Sequence, residues 1–231
     1  MNRKQPIAIC GIDTGVGKTI VTGLLARHLL DQGKVVITQK PVQTGCSGHS
    51  EDILLHRKLM GADWHPLDEQ KLTCPYCLPF AASPHLAAQK AGTEIDPAEL
   101  NRATETLAGQ VDQLIIEGAG GLLVPLTPGL LLLDYFAEHS YPIILVTSPR
   151  LGSINHTLLC LEAIKNRNME LLGMVYNLHG DHPREIVTDS LKIFKRYLVR
   201  CGFPEKIVIL PDINESRSSN WDILLKGTLN N

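Results

Sequence analysis

The stretch Ile7-Ala8-Ile9-Cys10-Gly11-Ile12-Asp13-Thr14-Gly15-Val16-Gly17-Lys18-Thr19 decides the fold. A short run of branched apolar residues leads into a glycine-rich turn, and a segment of helical spacing follows over residues 18–30. Strand, glycine turn and helix in that order form a phosphate-binding loop. Glycines let backbone N–H groups close round a triphosphate, and the helix N-terminus adds partial positive charge. Lys18 is placed to reach β and γ oxygens, and the Thr19 hydroxyl to ligate Mg²⁺. The usual loop has about four residues between its first glycine and the closing Gly-Lys-Ser/Thr. Here Gly11 and Gly17 enclose five. The extra residue leaves the electrostatics intact, so binding of ATP or GTP is the expectation. A ligand-free β-to-α turn is the alternative, and Lys-Thr at the helix start weighs against it.

Composition narrows the ligand. The chain has 231 residues, 22 basic and 24 acidic, with a net charge of -2 and 44% hydrophobic content. That excludes a fibrous repeat or a disordered tail and allows a sizeable core. Near-neutral charge supplies no field for nucleic acid or an anionic membrane, and 5% aromatic content offers few stacking platforms. A small ligand is expected, with no nucleic-acid partner. No apolar run approaches the roughly 18 residues of a spanning helix, so no membrane span is expected. The start Met1-Asn2-Arg3-Lys4 is basic, but Asp13 breaks the apolar run after Pro6 and no cleavage pattern follows. Export is not expected. Six cysteines (Cys10, Cys46, Cys74, Cys77, Cys160, Cys201) are too sparse for a disulfide scaffold and are expected to be reduced, in a cytoplasm.

Apolar runs rich in branched residues recur at 7–10, 35–38, 114–116, 143–147, 171–176 and 207–210, as buried parallel strands do. Helical spacing fills 18–30, 51–60, 97–108, 153–166 and 183–199. The alternation predicts an α/β fold: a single-domain P-loop NTPase, residues 1–231, with a mostly parallel central sheet flanked by helices. The polar tail 214–231 is expected to be partly loose, and 62–82, rich in Pro, Asp and Cys, to be a long loop.

A nucleotide site needs further charges. Leu114-Ile115-Ile116-Glu117 is a buried-type strand ending in a carboxylate, before the turn Gly118-Ala119-Gly120-Gly121. Ligands sit at strand C-termini in such sheets, so Glu117 is the expected second magnesium ligand, against a solvated strand-end glutamate. Asp52, near a helix start, is either a ligand or a capping acid favoured by the helix dipole. Lys40, at the end of the second strand, either holds a second anion or is an ordinary surface lysine.

These residues resemble the dethiobiotin synthetase family. The resemblance runs through most of the chain and rests on five ordered motifs. They are the variant loop Gly11 to Thr19; Lys40-Pro41-Val42-Gln43-Thr44-Gly45; Ser83-Pro84-His85; Glu117-Gly118-Ala119-Gly120-Gly121; and Leu151-Gly152-Ser153-Ile154-Asn155-His156. The resemblance implies ATP-dependent carboxylation of 7,8-diaminononanoate with CO₂ or bicarbonate, then ring closure to dethiobiotin. It implies that Lys18, Lys40 and Thr14 are catalytic, with Thr14 and Thr44 donating hydrogen bonds near the substrate. Asp13, Thr14, Gly15, Val16, Gly17, Lys18, Thr19, Glu117, Gly118, Asn177 and Pro211 would hold the nucleotide, Asn177 reading the adenine beside the Pro211-Asp212 segment. Mg²⁺ would be held by Thr19, Asp52 and Glu117. The substrate carboxylate would sit at the helix N-terminus formed by Leu151, Gly152, Ser153, Ile154 and Asn155 of a neighbouring subunit, which implies a homodimer. Two departures stand out: Gly15 replaces a frequent family glutamate, and the 40–52 stretch is short.

Other signals rank lower. Cys74-Pro75-Tyr76-Cys77 reproduces a redox dithiol or half a zinc site, but it lies outside a βαβ context and lacks a second ligand pair. His85 and His156 read as structural histidines, and Trp64 and Trp221 carry no specific signal. The chief rival is a partition-type or septum-positioning ATPase, which would carry an extra lysine early in the loop, where Ile12-Asp13-Thr14 stands. A related ATP-dependent ligase with a changed substrate is the other. Cobyrinic-acid amidating relatives would need a glutaminase domain, for which the length leaves no room.

Overall fold

A computed structural model of the chain describes residues 5–211 and 219–225. The basic start 1–4, Asp212 and much of the tail expected to be loose, 214–218 and 226–231, lie outside the described residues. The elements run β1 (Ile7–Gly11), α1 (Lys18–Asp31), β2 (Val36–Gln39), β3 (Val42–Thr44), α2 (Glu51–Met60), α3 (Pro66–Glu69) and β4 (Tyr76–Leu78). There follow α4 (Pro84–Lys90), α5 (Pro97–Ala108), β5 (Gln113–Glu117), β6 (Pro125–Thr127), β7 (Leu130–Leu131) and α6 (Leu132–Glu138). The last are β8 (Ile143–Thr147), α7 (Ser153–Asn166), β9 (Leu171–Asn177), α8 (Arg184–Cys201), β10 (Ile207–Leu210) and α9 (Asp222–Leu225).

Six strands form one parallel sheet in the order β10-β9-β8-β1-β5-β2. Every residue of β1, β5 and β8 is buried, which is why these strands read as unbroken apolar runs. After β1 the chain first builds one side of the sheet, through β2 and β5, then crosses to build β8, β9 and β10 on the other. Such a reversal opens a crevice at the strand C-termini, and the loop after β1 lies in it. The register pairs Ile9 with Glu117, so β5 ends beside the base of that loop.

The helices carry start and stop chemistry. The Ser50 side chain caps α2 by accepting from the Ile53 N–H at 3.1 Å, and Gly61 ends the helix with φ 66°. Asp96 caps α5 by accepting from the Ala98 N–H, ahead of Pro97. Gly23 on α1 lets α2 approach: a Cβ added there would stand 2.7 Å from Leu59 Cβ. That contact lets the last turn of α2 pack closely on α1.

Two expectations are corrected, the long loop and the reduced cysteines. The stretch 62–82 contains α3 and β4, because β4 pairs in parallel with β3 through Val42–Tyr76 and Thr44–Leu78. Within the tail, Trp221, Leu224 and Leu225 are buried, and Leu224 packs onto the β9 backbone at Gly173. The cysteines are not all reduced. Cys46 and Cys77 are joined, with their Cα atoms 5.9 Å apart, because the β3–β4 pairing brings together residues separated by 31 positions. Cys10, Cys74, Cys160 and Cys201 remain thiols.

Candidate active site

The phosphate loop leaves β1 and enters α1 through Gly17, which has φ 100°. A Cβ at Gly17 would lie 2.3 Å from Asn177 Nδ2, so only glycine fits both the turn and the neighbour. Lys18 is buried, and its Nζ donates to the Asp13 carbonyl at 2.8 Å, closing the loop on itself. Burial lowers the Lys18 ammonium to about 8, and the like charge of Lys40 adds to that shift. Phosphate oxygens are the natural partners for a cation so placed.

In the first turn of α1, Thr19 Oγ1 lies 3.1 Å from both Asp52 Oδ1 and Glu117 Oε1, its single proton serving either. Lys40 Nζ sits between the same two carboxylates, 2.7 Å from Asp52 Oδ2 and 2.6 Å from Glu117 Oε1. It also donates to the Gly118 carbonyl at 3.2 Å. The Glu117 side chain is 1% exposed, which excludes the solvated strand-end alternative. Burial alone would push its carboxyl up, but the Lys40 charge and the His56 hydrogen bond outweigh it and hold the value at about 2. Burial would likewise depress Lys40, yet Glu117 and Asp52 raise it above its ordinary value.

Five expected residues therefore converge: Lys18, Thr19, Lys40, Asp52 and Glu117. The two readings of Asp52 merge, since it lies in the first turn of α2 and also faces Thr19 and Lys40. The donors suit a hard divalent ion. Two carboxylates and a hydroxyl share one spot, and a cation, the Lys40 ammonium, already lies between the acids. No group of three or more His, Cys, Asp or Glu able by itself to hold a metal ion occurs among the described residues.

The other expected residues surround this centre. Thr14 and Gly15 are exposed on the loop rim. Asp13 Oδ1 accepts from the Thr14 N–H at 2.7 Å, and Oδ2 accepts from Arg150. Arg150 was not anticipated; it ties the segment before α7 to the phosphate loop. Thr44 ends β3 half-buried. Gly152 starts α7 with φ 88°, beside Leu151, which is fully exposed. Ser153 is buried, Ile154 half-buried and Asn155 exposed. Asn177 does not stand free: Nδ2 donates to the Val16 carbonyl at 3.0 Å and Oδ1 accepts from the His179 N–H at 3.1 Å. It braces the loop. Pro211 follows β10 on the sheet edge, separated from β1 by β9 and β8.

Among the discounted signals, Cys77 bonds to Cys46, not to Cys74, and burial pushes the Cys74 thiol up to about 11, far from a reactive thiolate. His85 and His156 each keep a buried Nδ1 without a partner. The larger omission is His56, which donates to Glu117 at 2.8 Å, with Arg57 beside it. A signal existed: Ile53, His56, Arg57 and Met60 fall at i, i+3, i+4 and i+7, the buried stripe of α2, where polar residues need partners.

The family model described as an AAA domain matches residues 5–206. The chain is 50% identical over 212 residues to the ATP-dependent dethiobiotin synthetase BioD of Chlorobaculum tepidum, covering 92% of this chain and 88% of that protein. It is 44% identical over 190 residues to BioD 2 of Pasteurella multocida, covering 82% and 89%. Among solved structures, the septum site-determining protein MinD of Pyrococcus horikoshii, complexed with Mg-ADP, aligns with TM-score 0.54 at 21% identity over 91% of this chain and 82% of that one. A ParA family ATPase from Chlorobium tepidum aligns with TM-score 0.54 at 17% identity over 99% and 90%. These structures share the fold only, so architecture does not separate the synthetase from its partition-type rival. Sequence does: with identities of this size across nearly the whole chain, the protein belongs to the family of ATP-dependent dethiobiotin synthetases, enzymes of the ligase class.

Proposed function

We propose that the protein carboxylates and cyclises 7,8-diaminononanoate to dethiobiotin, consuming ATP. One amine captures CO₂ and loses a proton, giving a carbamate. A carbamate oxygen attacks the γ-phosphorus, the bond to the bridging oxygen breaks, and ADP leaves. The second amine attacks the carbonyl carbon of the carbamic-phosphoric anhydride, and phosphate departs as the ureido ring closes. Negative charge accumulates at every stage, so cations and N–H donors dominate catalysis.

The observation that carries this reading is the pairing of Lys18 and Lys40, both buried, on the same carboxylate-lined crevice as Thr19. Lys18 leaves the Asp13 carbonyl for the phosphates and follows the transferring group. Lys40 holds the carbamate and then the phosphate. Thr14 and Thr44 donate hydrogen bonds to the substrate end, and the loop from Asp13 to Gly17, with Gly118, Asn177 and Pro211, encloses the nucleotide. Thr19, Asp52 and Glu117 would hold Mg²⁺, which when bound neutralises developing charge on the phosphate oxygens.

We extend the proposal to a cytoplasmic homodimer. No helix among the described residues is long and apolar enough to cross a membrane. Leu151, a bare apolar side chain at the α7 N-terminus, is suited to cover by a second subunit whose substrate carboxylate meets the helix end. The test is ADP release by the purified protein with Mg²⁺ and ATP, with and without diaminononanoate plus bicarbonate. Stimulation by the two together is expected. Stimulation by DNA instead would refute the reading in favour of the partition-type rival.

A further inference from the structure

His56, Arg57 and Thr38 belong to none of the motifs above, yet they join the candidate metal site through a buried chain of hydrogen bonds. His56 and Thr38 are 0% exposed and Arg57 4%. Asp68 anchors the far end. Its two oxygens accept from Arg57 at 2.7 and 2.8 Å, and it also accepts from the Thr73 hydroxyl at 2.7 Å and the His65 N–H at 2.8 Å. Arg57 then donates to Thr38 Oγ1 at 2.9 Å, Thr38 Oγ1 lies 3.1 Å from His56 Nδ1, and His56 Nε2 lies 2.8 Å from Glu117 Oε2.

The direction of this chain follows from its ends. An ionised Glu117 only accepts, which assigns the proton to His56 Nε2. Nδ1 is then an acceptor for the Thr38 hydroxyl proton, while the Thr38 oxygen accepts from Arg57, which only donates. Each link fixes the next. A glutamate side chain has three rotatable bonds, and nothing in β5 itself selects which oxygen faces Thr19. The imidazole does: it occupies Oε2 and leaves Oε1 to Lys40 and Thr19.

We propose that His56 is a positioning residue, held by Thr38 and Arg57, whose Nε2–H grips Glu117 Oε2 so that Oε1 is presented to Lys40, Thr19 and the divalent cation of a metal–nucleotide complex. Partners outside a metal's own ligands act in this way on affinity. The inference rests on the metal assignment above, not on the identity of the substrate.

Calorimetry on the full chain tests it without turnover. The dissociation constant of ADP is measured in excess Mg²⁺ and in EDTA, and the ratio reads the metal-dependent gain. His56→Asn places its amide near the position of Nδ1, keeping Thr38 and losing Glu117. His56→Gln reaches the position of Nε2. Asn is expected to cut the gain by about 10-fold or more while affinity in EDTA stays unchanged, and Gln to restore most of it. A merely structural histidine would not separate the two amides. If the Asn protein fails to fold, Thr38→Val, which frees the imidazole to turn, is expected to lower the gain in the same sense. An unchanged gain in the folded Asn or Val protein, or equal losses in Asn and Gln, overturns the inference. A wild-type affinity indifferent to Mg²⁺ overturns it together with the metal assignment. A normal gain with no turnover of diaminononanoate would remove the substrate reading and leave the role of His56 standing.

Discussion

Replacing Lys40 with Met keeps the length of the side chain and removes the charge between Glu117 and Asp52. The cost follows from burial. At 2.6 Å and an effective dielectric near 20, the Lys40–Glu117 attraction is about 6 kcal/mol before desolvation is subtracted. The Glu117 carboxyl gives an independent figure. Burial raises it, Lys40 and His56 lower it, and the net fall from 4.5 to about 2 corresponds to about 3 kcal/mol. Removing one partner of a buried pair costs about 3–5 kcal/mol in general. We therefore expect a loss of about 3–5 kcal/mol in the free protein, on the order of 10 °C in melting temperature. Turnover falls by about 10³-fold or more, because the carbamate and the departing phosphate lose their cation. ATP still binds, since Lys40 contacts Glu117, Asp52 and Gly118 rather than the phosphate loop, and its charge opposes that of Lys18. Urea melts, a coupled ADP-release assay and calorimetry with ATP read the three quantities. Turnover within about ten-fold of wild type, or loss of ATP binding in parallel, would refute the carbamate role of Lys40.

Lys18→Ala is expected to weaken ATP binding by about 1.5–3 kcal/mol, on the order of 10–100-fold, as well as to stop turnover; unchanged calorimetric affinity counts against its phosphate contact. Asp68→Asn leaves the buried Arg57 guanidinium without its carboxylate, so urea melts should show a loss of about 3–5 kcal/mol. Burial pushes the Asp68 carboxyl up, but Arg57 outweighs it and holds it below 3.8, so the stabilisation is complete above that pH and drains as pH falls through the lower folded value. Acid melts of wild type, compared with Asp68→Asn, would show a smaller gap at low pH; a constant gap refutes the linkage. Gly15 and Gly17 both have positive φ, but only a Cβ at Gly17 meets Asn177. Gly15→Ala should cost about 1–2 kcal/mol in a urea melt, and Gly17→Ala about 1 kcal/mol more, so equal losses would show that Asn177 does not brace the loop.

The sheet strands were legible because the central ones, β1, β5, β8 and β9, are buried on both faces and give apolar runs, as 143–147 does. The two- and three-residue strands β3, β4, β6 and β7 left no periodic signal. Neither did α4 or α6, seven residues each, too short for an apolar stripe to repeat. Lys18, Thr19 and Glu117 were legible from chain order, since a glycine turn and a strand end each announce a position. Asp52 and Lys40 stood undecided between site and surface until α2 packed against α1 at Gly23, which no local pattern encodes. The Cys46–Cys77 link escaped for the same reason, its ends meeting through β3–β4 pairing.

The amino-acid order by itself determined the nucleotide loop, the parallel α/β sheet and the family, because these depend on local residue type, spacing and apolar periodicity. Tertiary structure alone decided which charges share the crevice. Lys40 and His56 reach Glu117 from β2's end and α2, 77 and 61 positions away, Asp52 joins them through Lys40, and only burial makes those meetings strong. In the low dielectric of the closed core a carboxylate must find its cation and its donor, so packing, rather than sequence neighbourhood, selected the partners.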